Sequence, residues 1–295
     1  MSKPPIGFIG LGIMGYPMAG HIANAGYPLT VYNRTREKAE RFVTEHPGCR
    51  EVDSPGALAA RAEIIVVIVS DTPDVEDVLL DEDGLLPTIR PGSLVIDMST
   101  ISPAEERRFD TALKEKGASL VDAPVSGGDI GAKQGTLAVM AGGGDADIER
   151  ARPLLETMSK SITHCGPVGS GQLTKLCNQI LVAVTLSAVC EALLLAVRNG
   201  LDPSVMIEAV QGGAAGSWQL ANLAPKIVAH DFAPAFMIDL LQKDLRLVSE
   251  MSEASHSPLP VTSLVKQLFV GAQAAGMGQD GTQALFKVLR GLTEE

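Results

Sequence analysis

The chain has 295 residues, enough for about two domains and a sizeable core. With 45% apolar and 20% charged residues, it reads as globular rather than disordered or fibrous. A formal charge of −11 argues against nonspecific nucleic-acid or acidic-membrane binding, either of which needs a basic face.

Lys3 is the only charge before the Pro4-Pro5 pair and the first apolar run, so no secretory leader is expected, and reduced thiols in the cytoplasm are the simple reading of the cysteines. Ile6–Ile9 predicts a strand that runs directly into Gly10-Leu11-Gly12-Ile13-Met14-Gly15. Residues 14–25 predict a helix, Gly26 stops it, and Leu29–Tyr32 predicts the next strand. That is one βαβ unit with a G-x-G-x-x-G corner, the context in which glycines admit a pyrophosphate to backbone N–H groups at a helix N-terminus. The competing view is an ordinary tight turn with no ligand. Where an NAD site places a carboxylate for the ribose, about 20 residues on, the second strand ends in Asn33-Arg34-Thr35. No acid stands there to repel a 2′-phosphate, and a guanidinium beside a hydroxyl can grip one. NADP(H) is therefore the expected cofactor, with NAD(H) possible; a merely solvated Arg34 is the alternative.

Strands and helices go on alternating. Residues 63–69, 93–100, 119–125, 136–141 and 161–165 predict further strands, seven in all, several of them unbroken apolar runs typical of a sheet covered on both faces. Val69 closes the third of these seven, Ser70 begins the turn after it, and both join the expected cofactor-binding set. Ser102-Pro103-Ala104-Glu105 marks a helix start. The character changes at Gly166-Pro167-Val168-Gly169-Ser170-Gly171, after which every segment has helical periodicity. A long helix is expected over 171–199 with Gly200 as its stop, then helices over 204–211, 218–229, 237–255, 262–275 and 281–292. The predicted fold is α/β: a Rossmann-type doubly wound sheet over 1–165, followed by an all-helical domain over 166–295 and joined to it by the long helix.

The four cysteines (Cys49, Cys165, Cys177, Cys190) form no C-x-x-C pair, and the five histidines are scattered. Reduced thiols and no metal site follow. Residues 180–197 are apolar, but Glu191 interrupts them and Lys175 and Arg198 flank them, so a buried helix rather than a membrane span is expected.

Three stretches concentrate chemistry. Asp122-Ala123-Pro124-Val125-Ser126-Gly127-Gly128 closes a strand and offers a hydroxyl and uncrowded N–H groups to a carboxylate. Lys175 has Asn178 and Gln179 at i+3 and i+4, which share its helix face. A lysine set in an apolar helix can serve in proton exchange, although a snorkelling amine is the ordinary alternative. Lys243, in Gln242-Lys243-Asp244-Leu245, is either functional or an exposed lysine beside an aspartate.

Taken in order, the glycine corner, the 122–128 stretch, Gly169-x-Gly171-x-x-x-Lys175-x-x-Asn178, Lys243-Asp244-Leu245 and Gly276-x-Gly278-x-Asp280 resemble the β-hydroxyacid dehydrogenase family over nearly the whole chain. That family includes 3-hydroxyisobutyrate dehydrogenase, tartronate semialdehyde reductase and the glyoxylate/succinic semialdehyde reductases. The resemblance implies that Lys175 is the catalytic acid/base and that Ser126, Gly127, Gly128 and Asn178 hold the substrate. It also implies that Thr100 and Lys243 approach the nicotinamide end of the cofactor. A small hydroxyacid or semialdehyde substrate and a homodimer or homotetramer are implied too. Gln179 and Gly212-Gly213-Ala214-Ala215-Gly216-Ser217 resemble the tartronate branch; Met237 departs from it, and Gln242-Lys243-Asp244-Leu245-Arg246-Leu247 resembles the glyoxylate/succinic branch. A non-catalytic NADP-binding scaffold is the alternative of another class, disfavoured because Lys175 is retained.

Overall fold

A computed structural model describes residues 3–292 and divides the chain into two compact units, Met1–Lys175 and Leu176–Glu295. In the first unit β1 (Ile6–Ile9), α1 (Gly15–Asn24), β2 (Leu29–Tyr32), α2 (Arg36–Glu45) and β3 (Arg50–Glu51) lead to α3 (Pro55–Ala59) and β4 (Ile64–Val67). Next come α4 (Thr72–Leu80), β5 (Leu94–Asp97), α5 (Pro103–Glu115), β6 (Ser119–Asp122) and β7 (Val125–Ser126). The unit finishes with α6 (Gly128–Gln134), β8 (Leu137–Gly142), α7 (Asp145–Leu155), β9 (Ser159–Gly166) and the start of α8 (Ser170–Arg198).

The described residues form one sheet in the order β3-β2-β1-β4-β5-β6-β8-β7, with β9 paired to β8. From β3 to β6 every pairing is parallel; β8 runs antiparallel to β6 and β7 and parallel to β9. Seven strands were expected and nine are present. The extra two, β3 and β7, are two-residue ladders too short to show a period. Residue parity splits the apolar strands between two cores, because successive side chains point to opposite faces. Phe8, Val31, Val66 and Ile96 pack with Met18 and Ile22 of α1, Phe42 of α2 and Leu154 of α7. Ile9, Ile65, Val67 and Val95 pack with Leu58 of α3, Val75 and Leu79 of α4, and Phe109 and Leu113 of α5. Each fully buried side chain of this kind contributes about 1.5–3 kcal/mol.

The second unit holds the rest of α8, then α9 (Pro203–Gln211), α10 (Trp218–Asn222), α11 (Ala224–Val228), α12 (Ile238–Ser255), α13 (Pro260–Ala274), a 3₁₀ turn (Thr282–Ala284) and α14 (Leu285–Gly291). The single helix expected over 218–229 is two. Pro225 has no N–H to continue the hydrogen-bond ladder of α10, so it stands in the first turn of a new helix, α11, where none is needed. The expectation of a buried α8 holds for one face only. Ala183, Leu186, Cys190 and Leu193 join the helical core, whereas Leu181, Leu195 and Val197 are exposed. By length and composition alone, α8 also qualifies as a membrane-crossing helix.

Candidate active site

Five loops leave the sheet in step. Strand register sets Tyr32, Ile9, Val67, Asp97 and Asp122 in one row across β2, β1, β4, β5 and β6. All five strands are parallel, so the segments beyond that row emerge at the carboxyl edge, where open α/β sheets take their ligands. These segments carry residues 10–15, residues 33–35, Val69 with Ser70, Thr100, and Ser126 with Gly127 and Gly128.

At the corner after β1, Gly10 has φ +101°, and a Cβ there would collide with the Ile68 carbonyl oxygen. A Cβ on Gly15 would collide with the Gly10 carbonyl oxygen, so this position lets α1 close on β1. A Cβ on Gly12 would meet nothing within 4 Å. A forced turn, a close helix approach and one open backbone face are what a dinucleotide pyrophosphate requires, and the corner fits one. Leu11 is buried, Met14 half-buried and Ile13 exposed. Asn33 braces the corner: its Oδ1 accepts the Leu11 N–H at 2.8 Å and its Nδ2 donates to the Thr35 carbonyl at 2.8 Å. Arg34 is exposed and pairs with Asp74 of α4 at 3.0 Å. Thr35 occupies the N-cap position of α2 without using its hydroxyl as a cap.

The next two loops are tied together. The Val69 N–H donates to Ser99 Oγ at 3.0 Å, and Ser70 is exposed beyond it. Thr100 is half-buried between Ser99 and Ile101, and Gln172 of α8 holds both neighbours. Its Nε2 donates to the Ser99 carbonyl at 3.0 Å, and its Oε1 accepts the Ile101 N–H at 3.1 Å. Further along the sheet, Ser126 is half-buried at the end of β7, and a Cβ on Gly128 would again meet open space.

Lys175 is held from below. Asp122, fully buried, accepts the N–H groups of Gly169 and Gln172 at 2.8 Å each, which pins the first turn of α8 to the end of β6. Burial lifts its carboxyl above the ordinary range, and these backbone donors pull the other way. Lys175 follows one turn later and is only 8% exposed, which is not the solvent-facing amine of a snorkelling lysine. In the second unit Asn178 and Lys243 end one chain of contacts. Asn178 Nδ2 donates to Gln179 Oε1 at 2.8 Å, Gln179 Nε2 donates to Asp244 Oδ2, and Asp244 Oδ1 pairs with Lys243 Nζ at 2.7 Å. Asp244 and Gln179 are both buried.

Residues 5–166 match the family model for the NAD binding domain of 6-phosphogluconate dehydrogenase. Residues 169–289 match the model for the NAD-binding domain of NADP-dependent 3-hydroxyisobutyrate dehydrogenase. The chain is 41% identical to 2-hydroxy-3-oxopropionate reductase of Escherichia coli (strain K12), covering 96% of each. The chain belongs to the β-hydroxyacid dehydrogenases. It is 39% identical to the NAD-dependent L-serine dehydrogenase of Pseudomonas aeruginosa, covering 90% of each. A solved Mycobacterium tuberculosis 3-hydroxyisobutyrate dehydrogenase with L-serine superposes at a TM-score of 0.89, with 31% identity and coverage of 98% of this chain and 99% of that one. As a β-hydroxyacid dehydrogenase it is an NAD(P)-dependent oxidoreductase acting on the hydroxyl group of small hydroxyacids.

Sequence reasoning missed the polar residues that brace the Thr100 loop in the first unit and the Asn178–Lys243 chain of contacts in the second. Glu106 sits in the buried stripe of α5 with Pro103, Phe109 and Leu113, and Asp244 sits in that of α12 with Ile238, Leu241, Leu245 and Val248. An acid occupying a position that the helical period assigns to the core was the available signal. Asp122 stands at the head of the 122–128 stretch, and its geometry makes it the anchor of α8.

Proposed function

We propose that the chain interconverts small carboxylate-bearing semialdehydes and their β-hydroxyacids, with NADP(H) preferred over NAD(H) and 2-hydroxy-3-oxopropionate (tartronate semialdehyde) as the favoured substrate. One observation carries this reading: a buried lysine, one turn past a helix start that is anchored to the sheet edge beside the Ser126 loop. The nicotinamide cofactor, when bound, supplies or accepts hydride. Lys175 handles the proton. As an ammonium it stabilises the charge growing on the carbonyl oxygen and protonates it; as a neutral amine it takes the proton from the hydroxyacid. The Ser126 hydroxyl and the N–H groups of Gly127 and Gly128 hold the substrate carboxylate together with Asn178, which keeps the reacting carbon oriented. Thr100, Val69, Ser70 and Lys243 would hold the cofactor, and the corner of residues 10–15 would take its phosphates.

The NADP preference is supported by Arg34 and by the absence of an acid among residues 33–35. The substrate assignment is supported by the likeness to the Escherichia coli reductase and by Gln179 after Asn178. L-serine, itself a β-hydroxyacid, is a second reading, favoured by the names of the Pseudomonas and Mycobacterium relatives. Free Cys49, Cys165, Cys177 and Cys190 suit a cytoplasmic enzyme. The exposed Leu181, Leu195 and Val197 of α8 support a homodimer or homotetramer. Initial rates of NADPH oxidation with tartronate, methylmalonate and succinic semialdehydes and glyoxylate, set beside L-serine oxidation with NAD⁺ and NADP⁺, test the reading. Fastest turnover with tartronate semialdehyde is expected; L-serine as the best substrate would replace it with the second reading, and silence across the panel would remove both.

A further inference from the structure

Two acids lie sealed beneath the Thr100 loop, each with an oxygen left over. Asp97 ends β5 at 1% exposure, and Glu106 on α5 is 0% exposed. Asp97 Oδ1 accepts the Ser99 N–H at 2.9 Å, and Glu106 Oε2 accepts Gln172 Nε2 at 3.0 Å. Asp97 Oδ2 and Glu106 Oε1 are buried without a donor. The two side chains are in contact with each other. As two anions they would repel in a site that water does not reach, while a single hydrogen between the leftover oxygens satisfies both at once. The groups acting on the pair are Ser99 from its own loop, Gln172 from α8 and Asp122 from β6. Two are neutral, and the third is another acid whose oxygens already take N–H groups.

We propose that Asp97 and Glu106 share one proton as an acid–carboxylate pair, and that they are positioning residues for Thr100 and Val69. Glu106 fixes Gln172, and Gln172 grips the loop on both sides of Thr100 through the Ser99 carbonyl and the Ile101 N–H. Ser99 passes the same constraint to Val69 through its hydroxyl. Positioning of the cofactor rests on the reading of Thr100 and Val69 given above; the shared proton does not. Burial first, then repulsion between the carboxyls, raises the pair above the usual carboxylate range. The folded chain therefore keeps a proton that the unfolded chain has released once pH passes about 4.5. The resulting stability is complete below that pH and is lost as pH rises through the folded value.

Proton release on urea unfolding, measured between the ordinary carboxylate value of 4.5 and the value of about 6 to which Asp97 is raised, tests the pair. Wild type should release one proton more than Glu106→Gln and also one more than Asp97→Asn, since either amide supplies the bridging hydrogen covalently. Equal release in all three proteins, or loss of the proton in only one variant, would overturn the sharing. For positioning, Glu106→Ala should raise the KM for NADPH more than it lowers kcat, and Glu106→Gln should restore it. An unchanged KM in Glu106→Ala would refute positioning; should that variant fail to fold, a Glu106→Gln KM far above wild type would refute it instead. Thr100→Ala separates the two layers: if it leaves the NADPH KM untouched, the cofactor-facing role of Thr100 falls while the proton count stands.

Discussion

Replacing Arg34 by alanine should collapse the proposed preference for NADPH, and the structure allows the size to be worked out. The guanidinium is 82% exposed, and its ion pair with Asp74 at 3.0 Å competes with any 2′-phosphate. Exposed pairs of that kind are worth ~0–1 kcal/mol. Hydrogen bonds from a guanidinium to a phosphate are worth about 1.5–3 kcal/mol. The phosphate therefore wins the arginine by about 1–2 kcal/mol, and Asp74 tunes the affinity without abolishing it. Loss of that net contact should raise the NADPH KM by about 5–30-fold, since each 1.4 kcal/mol is about tenfold. NADH, which carries no phosphate there, should be little affected. Asp74→Asn should act in the opposite sense and lower the NADPH KM by up to about 5-fold. Steady-state kcat/KM for both cofactors with one semialdehyde measures the ratio. An Arg34→Ala enzyme with an unchanged NADPH/NADH ratio would refute the assignment, and weaker NADPH binding in Asp74→Asn would mean that the acid aims the arginine instead of competing for it.

Three further outcomes are expected. Lys175→Ala should lower kcat by ~10²–10⁴-fold with NADPH affinity retained, as read by cofactor fluorescence titration beside turnover. Asp244→Leu removes the acceptor that Lys243 Nζ and Gln179 Nε2 share and should lower the urea midpoint, whereas Asp244→Asn, which keeps an oxygen acceptor, should lower it less. Burial pushes the Cys190 thiol up from 9.0 to about 12, so the stability tied to its neutral form is complete below pH 9 and is lost as pH rises toward 12. Alkylation followed by mass spectrometry at pH 8 should accordingly label exposed Cys177 in the native protein and Cys190 only after unfolding.

What was legible in the chain followed from periodicity and from glycine. Unbroken runs such as Ile64–Val67 and Leu94–Asp97 gave a doubly covered sheet, because both faces of those strands are buried and no alternation survives. Gly10, Gly12 and Gly15 gave the corner, because each answers a different steric demand that alanine would violate or fill. Less legible were features that depend on partners far away in sequence. The pairing of Val125–Ser126 with β8 is a two-residue ladder, and nothing local separates it from a loop. That Asn33 would hold the Leu11 N–H could not be read from Asn33-Arg34-Thr35, because a strand-end amide looks the same whether it faces a ribose or a backbone. Glu106 and Gln172 meet across 66 positions of sequence, and only the fold brings them together.

That meeting also explains why the carboxyl edge is built from acids and amides rather than packed with leucine. A loop that must stop at a fixed place leaves backbone donors and acceptors without strand partners, and a helix start leaves several more. Here the Ser99 and Ile101 N–H groups, the Ser99 carbonyl and the N–H groups of Gly169 and Gln172 are all buried and all satisfied by Asp97, Gln172 or Asp122. Apolar replacements would spare the desolvation of three carboxyls, but they would orphan those five groups at about 1–3 kcal/mol each. The polar solution is the less costly one as soon as both the loop and the helix must be rigid. At Gly12 and Gly128 the opposite holds, since the chain puts nothing where a side chain would go. The edge is thus closed by protein beneath Thr100 and Lys175 and left open at the two glycine positions, and that division is what a site for an anionic cofactor and an anionic substrate requires.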